Sequence, residues 1–317
     1  VGHLGQHHVR HLQNLSGVEL AGIHDTSDAR AAEIARQYRT KFYSDLNSLL
    51  NNCDGCSIVT TTSAHAQIAA ACIQAGKHVF IEKPITSTVP EADELLRLAA
   101  AKGVRIQVGH IERLNPALLA LQNYTLAPKY IEVQRLAPYT TRGTDVPVVL
   151  DLMIHDLDIL LSLVKSPVKN IRASGVSIMT ESVDIANARI RFENGTVASV
   201  TSSRVAKDKV RKIKIFQKNQ YVTIDFLLGL TEVYRVVDTD TADPRALISA
   251  DLKRNGKARK IVYEKPTVTQ TDALKMELSN FAAVIRGTME PIVDGQAGRD
   301  ALYVATRIHD LILEDIL

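Results

Sequence analysis

Over the first 120 or so residues, short β-rich runs alternate with stretches of helical period, and no other feature constrains the fold as much. Such a chain buries both kinds of apolar face by laying its strands side by side in parallel, with the helices returning over the sheet. The runs are 18–23, 41–43, 56–59, 78–81 and 104–108, and the helical stretches are 6–15, 27–36, 64–75 and 89–101. Gly76 closes one helix, and Pro90 and Gly103 bracket another, as helix ends favour. The chain opens at Val1-Gly2 with no methionine, and Val1 reads as the close of a first strand cut short. The expected α/β architecture is a doubly wound parallel sheet of Rossmann type.

The pattern changes near residue 120. Residues 130–136 alternate, 149–163 form a helix that carries charges, and 168–237 hold many short alternating strands. Among these are 185–192, 197–202 and 210–216, with Asn194-Gly195 as a hairpin turn between the first two. Helical period returns over 271–286 and 299–317. An α+β domain with an open, mainly antiparallel sheet follows. At 317 residues the chain exceeds the usual size of one domain. The expected domains are 1–120 and 121–317, with the C-terminal helices free to pack back on the first.

Bulk properties exclude several classes. A net charge of +3 is too small for a protein that tracks nucleic acid. No run of 18 apolar residues offers a membrane span, and no signal peptide is visible, so the cytoplasm is the default. Three cysteines make no disulfide framework in a chain of this length. Cys53 and Cys56 have C-x-x-C spacing, read as a turn before a redox pair, and Cys72 reads as core.

Chemistry gathers where the β runs end. Val1-Gly2-His3-Leu4-Gly5 matches the back half of G-x-G-x-x-G. Its glycines let the backbone approach a pyrophosphate, and the helix behind presents free N–H groups to phosphate. Asp25 lies 20 residues after Gly5 at the end of the next run, where a carboxylate binds an adenosine ribose and repels the 2′-phosphate of NADP. NAD is the expected cofactor, with Arg30 and Arg39 keeping NADP open. Thr60, Thr61, Thr62 and His65 follow the third run and can serve a nicotinamide ribose or phosphates; the same stretch also reads as a helix start capped by Ser63. Glu82 and Lys83 precede Pro84 in a tight turn, cis or trans. They read either as cofactor-site residues, with Lys83 assisting proton transfer, or as a solvated charge pair. His110, Glu112, Arg113 and Asn115 form a polar rim at the next strand end, suited to a substrate.

Asp151, His155 and Asp158 share one helix face. A histidine beside a carboxylate suits acid–base work near neutral pH, and the trio could also hold a metal or bridge two domains. Acid–base work is preferred and no metal is expected. The basic segment 204–218 reads as a solvated sheet face.

Together these residues resemble the glucose–fructose oxidoreductase/inositol dehydrogenase (Gfo/Idh/MocA) family over nearly the whole chain. The markers are Gly2, Gly5, Asp25, Thr60 to His65, the stretch from Ala75 to Pro84, and Asp151 with His155. The resemblance implies an NAD(P)-dependent dehydrogenase acting on a secondary alcohol of a sugar. Lys83 would lie in the nicotinamide and substrate pocket, and His155 would be the proton acceptor with Asp151 beside it. The second domain would form the substrate cleft floor and pack against another subunit in a homodimer or homotetramer. Two positions depart from the family pattern: Thr61 stands where most members have proline, and Met153 where many have glycine. The stretches 109–116 and 151–158 are similar to the branch that oxidises UDP-linked N-acetylamino sugars at C3. The alternatives are a polyol, inositol or dihydrodiol dehydrogenase, a biliverdin-reductase-like enzyme, and a non-catalytic NAD-bound sensor or scaffold.

Overall fold

Three short parallel strands organise the first unit, which comprises Val1–Ile111 and Asp272–Tyr303. The structure is a computed structural model that describes residues 1–140, 146–238, 245–254 and 257–316. Strands β1 (Gly55–Ile58), β2 (His78–Glu82) and β3 (Ile106–Gly109) pair in that order. Helices α1 (Gly5–Gln13), α2 (Asp28–Tyr38), α3 (Leu46–Leu50), α4 (Thr62–Gln74) and α5 (Val89–Lys102) complete the N-terminal stretch. Their ends follow local chemistry. Ser27 caps α2 by accepting from the Arg30 N–H, and Thr88 and Glu91 close a reciprocal capping box on α5.

The strands expected at Val1, 18–23 and 41–43 do not form. Ile23 makes a single parallel bridge to Phe42, through bonds from Ile23 N–H to the Lys41 carbonyl and from Tyr43 N–H to the Ile23 carbonyl, both 2.9 Å. A strand is defined by a neighbour along its length, and 18–23 has one only at its end. Gly22 is required at this bridge, because a β-carbon there would lie 2.4 Å from the Tyr43 ring.

Late sequence completes this unit. Leu278 and Phe281 of α8 (Ala273–Ile285) pack with Leu15 and Phe80 in one buried cluster. The first turns of α9 (Gly295–Ile316) close on β3, where a β-carbon at Gly298 would meet the Val108 side chain at 2.6 Å.

The second unit comprises Glu112–Thr271 and Val304–Leu317. A 3-10 turn (Ile111–Leu114) leads to α6 (Pro116–Leu119) and β4 (Tyr130–Leu136). A π-helical turn (Val149–Met153) then runs directly into α7 (Ile154–Val164). The remaining strands are β5 (Val168–Val176), β6 (Ile185–Phe192), β7 (Val197–Ser203), β8 (Val210–Gln217), β9 (Gln220–Asp225), β10 (Leu230–Asp238), β11 (Ile248–Arg254) and β12 (Lys257–Glu264). They form one sheet in the order β11-β12-β10-β9-β8-β4-β7-β6-β5. Every pairing is antiparallel except β4 with β7, so the sheet is mixed. Ile131, Val133, Ile213, Ile215, Val222, Ile224 and Val233 alternate into the core. The expected single helix over 149–163 is corrected in its first turn, which is π rather than α. Among the described residues no helix is long and apolar enough to cross a membrane.

Candidate active site

In a parallel sheet all carboxyl ends share one edge, and ligands bind beyond that edge. Here it carries Thr60 to Thr62 after β1, Lys83-Pro84 after β2 and His110 after β3. Thr60 and Thr61 are exposed, Lys83 is half-buried and His110 is buried. The N-cap of α4 is Thr61, with no side-chain cap bond, rather than Ser63. Lys83-Pro84 is a cis peptide.

Two predicted residues are engaged within the protein. The Glu82 carboxylate faces His8 of α1, with Oε1 3.1 Å from His8 Nε2, while His8 Nδ1 lies 2.8 Å from Ser57 Oγ. Gly109 makes room for that carboxylate, since a β-carbon there would sit 3.0 Å from it. His65, 1% exposed, points its Nδ1 at the Pro84 carbonyl at 2.8 Å and its Nε2 at the Thr60 carbonyl at 3.3 Å. It therefore braces the exits of β1 and β2.

The residues of the glycine loop fit the diphosphate of NAD(P). Helix α1 starts at Gly5 with no side chain capping it and no acidic residue in its first turn. His3 and Leu4 are exposed, and nothing lies within 4 Å of a β-carbon built on Gly2. An uncapped N-terminus behind an open glycine loop fits a diphosphate. Asp25 accepts from the Ser27 N–H at 2.9 Å.

In the second unit Asp151 lies in the π turn and His155 in the first turn of α7, both half-buried. Isolated π turns inside helices recur at functional sites. The residues around them form a charged lattice. Arg135 binds Asp156 through two bonds, at 2.7 and 2.8 Å, and reaches Glu112 at 3.2 Å. Arg211 reaches the same Glu112 oxygen at 3.3 Å. Arg113 holds Asp158 through two bonds, at 2.7 and 2.6 Å. Asn115 caps α6 through the Ala117 N–H at 3.0 Å. The expected substrate residues Glu112, Arg113, Asn115 and Asp158 are thus brought together, largely facing one another. His110 belongs to the first unit.

Sequence reasoning missed His8, Arg135 and Asp156. Each had a signal. His8 falls on the inward period of α1 with Gly5 and Val9. Arg135 continues the core register of Ile131 and Val133, and Asp156 sits on a face of α7 that is otherwise buried and apolar. Charges in such registers require partners.

A parallel α/β unit with a diphosphate-fitting helix start, followed by a mixed open sheet, defines a dinucleotide-dependent oxidoreductase of two-unit build. Residues 1–110 match the model of the oxidoreductase family with NAD-binding Rossmann fold, and 127–222 match the GFO/IDH/MocA C-terminal domain. The chain belongs to the Gfo/Idh/MocA family of NAD(P)-dependent oxidoreductases. It is 36% identical over 310 residues to UDP-N-acetylglucosamine 3-dehydrogenase of Acidithiobacillus ferrooxidans, covering 97% of this chain and 94% of that protein. A solved structure of that dehydrogenase superposes with a TM-score of 0.87 at 35% identity, covering 98% of this chain and 95% of the other. The fold is shared with the WlbA dehydrogenase of Bordetella pertussis, solved in complex with NADH and UDP-GlcNAcA, at a TM-score of 0.78, 18% identity and coverage of 99% and 94%.

Proposed function

We propose that this chain oxidises a secondary alcohol of a nucleotide-linked sugar, at C3 of UDP-N-acetylglucosamine, with NAD as the hydride acceptor. The observation that carries the reading is Lys83, placed at the carboxyl edge of the parallel sheet on a turn fastened by its neighbours. The near end-to-end likeness to a UDP-N-acetylglucosamine 3-dehydrogenase supports the choice of sugar.

His155 accepts the proton of the substrate hydroxyl, and Asp151, four residues before it, stabilises the charge that results. In the first unit, the Lys83 ammonium is the hydrogen-bond donor at the nicotinamide side. The N–H groups of His3, Leu4 and Gly5 hold the cofactor diphosphate, with Gly2 leaving room for it. Asp25 takes the adenosine ribose, and Thr60, Thr61 and Thr62 take the nicotinamide side. Bound NAD⁺ supplies the site that accepts hydride from the carbinol carbon. Glu82 and His65 support these groups from behind. Arg113, Asn115, Glu112 and Asp158 set the floor on which the sugar lies, with His110 at the strand edge.

We also infer a homo-oligomer formed through the sheet of the second unit. Tyr130, Phe216, Tyr221, Tyr234 and Tyr263 are direct cross-strand partners on five adjacent strands, on the face opposite Ile131 and Val133. Their ring centroids are 5.8, 4.8, 5.7 and 5.0 Å apart, and Tyr130 and Phe216 are exposed. A continuous aromatic band of this length suits a second copy of the same surface.

The test is a panel of UDP-sugars and free polyols with NAD⁺ and NADP⁺, read by absorbance of the reduced cofactor. UDP-N-acetylglucosamine with NAD⁺ should give the highest kcat/KM. Preference for a free polyol, or for NADP⁺, would overturn the corresponding part of the reading.

A further inference from the structure

His65 stands in the first turn of α4, and its ring is buried between two strand exits. Its Nδ1 lies 2.8 Å from the Pro84 carbonyl and its Nε2 3.3 Å from the Thr60 carbonyl. Both partners are carbonyl oxygens, which only accept, and the shorter contact is the one that Nδ1 makes as donor to Pro84. Proline has no N–H, so this carbonyl is the one backbone group by which Pro84 itself can be held. The flanking residues are already fixed. Glu82 closes β2 and accepts from the Lys83 N–H at 3.3 Å, while Ile85 and Thr86 are fully buried. The His65 bond is thus the side-chain fastening at the centre of the turn. Lysine carries its charge on a flexible four-carbon stem, so where the ammonium stands depends on how firmly its backbone is set.

We propose that His65 is a positioning residue: its Nδ1–H bond to the Pro84 carbonyl fixes the Lys83 turn and thereby the Lys83 ammonium, and it is not a cofactor ligand. The inference rests on the reading of Lys83 given above. The two ring nitrogens can be separated by substitution. Asparagine places an amide N–H near the Nδ1 position and can keep the bond to Pro84. Glutamine reaches toward the Nε2 position, facing Thr60.

The experiment compares His65→Ala, His65→Asn and His65→Gln with the parent chain, each checked by thermal melt. Turnover is read with UDP-N-acetylglucosamine and NAD⁺, NADH affinity by fluorescence titration, and Lys83 reactivity by amine labelling and mass spectrometry without substrate. His65→Ala should cut kcat by about 10- to 100-fold, at or below the smallest loss usual for an acid–base group itself. It should change NADH affinity less than about threefold, far below that loss, and alter the Lys83 labelling rate. His65→Asn should restore both kcat and labelling, and His65→Gln should not. In a Lys83→Ala background, His65→Ala should cost almost nothing more, because the two act as one unit.

Equal loss in the Asn and Gln variants would overturn the proposal, as would a loss confined to cofactor affinity or one that adds fully to Lys83→Ala. If His65→Ala does not fold, the Asn–Gln comparison decides alone. Near-normal turnover of Lys83→Ala by itself would instead overturn the role of the lysine, and this inference with it, through a result no His65 variant can produce.

Discussion

Arg113 grips Asp158 through two parallel hydrogen bonds, and the Asp158 side chain is wholly buried. A carboxylate held this way is committed to its partner. Removing one member of a buried pair strands the other charge, at a cost of about 3–5 kcal/mol. Asp158→Ala is therefore expected to show its main effect in chemical denaturation, with stability falling by about that amount. A stable variant with a raised KM for the sugar would mean that Asp158 contacts substrate directly.

Lys83 gives the sharpest kinetic prediction. Lys83→Ala should lower kcat at least about 100-fold, within the usual reach of a proton-transfer group. Cofactor affinity should be nearly unchanged, because the diphosphate and ribose contacts proposed above fall to other residues. Steady-state turnover beside an NADH titration separates the two quantities. Equal losses in both would place Lys83 among the cofactor ligands alone.

Asp184 ties a loop to the sheet. Its Oδ2 accepts from the N–H groups of Ile178, Met179 and Thr180 at 2.8, 2.6 and 2.9 Å, and its Oδ1 accepts from the Thr180 hydroxyl at 2.7 Å. Burial pushes its pKa up, but these donors prevail and hold it at about 2, below the ordinary 3.8. A depressed folded-state pKa contributes stability that is fully present above the unfolded value and is lost as pH falls toward the folded one. The melting temperature should therefore drop between pH 3.8 and about 2. Asp184→Asn should be less stable at neutral pH and show a shallower fall across that window. An unchanged slope would remove Asp184 from the account.

Phe216 is the second of the five rings in the aromatic band, between Tyr130 and Tyr221, and is exposed. A glutamate there would bring a charge into any face-to-face contact and should dissociate the oligomer. Sedimentation velocity of Phe216→Glu against the parent chain reads this directly. A parent chain that is monomeric at micromolar concentration would sink the oligomer proposal.

Where the signal was local, the fold was legible. Strands β4 and β6 have the limits that alternation suggests, because alternate residues face core and solvent along each. Asn194-Gly195 turns the chain between β6 and β7, with Gly195 at φ +83°. Segment 18–23 was not legible, because its strand-like composition says nothing of whether a neighbour lies alongside. The π turn over Val149–Met153 leaves no mark in a pattern that reads equally well as α-helix. At the strand ends the sequence shows polar residue types but not their partners. Nothing in the row of residues joins Arg135 to Asp156, or His8 to Glu82, across 21 and 74 positions. Such pairings come from tertiary structure, and the order of residues along the chain does not carry them.

The buried cluster of Leu15, Phe80, Leu278 and Phe281 has a consequence for how the chain is made. Phe80 leaves the ribosome about 200 residues before its partners on α8, a delay of roughly 10–40 s at usual rates of synthesis. Throughout that interval the nascent first unit carries an apolar surface with nothing to cover it. The sheet of the second unit lies wholly within the intervening sequence, although that unit too is completed only by residues 304–317. Any product terminated before residue 278 lacks the two side chains that cover Leu15 and Phe80, because the chain closes its first core with nearly its last helix.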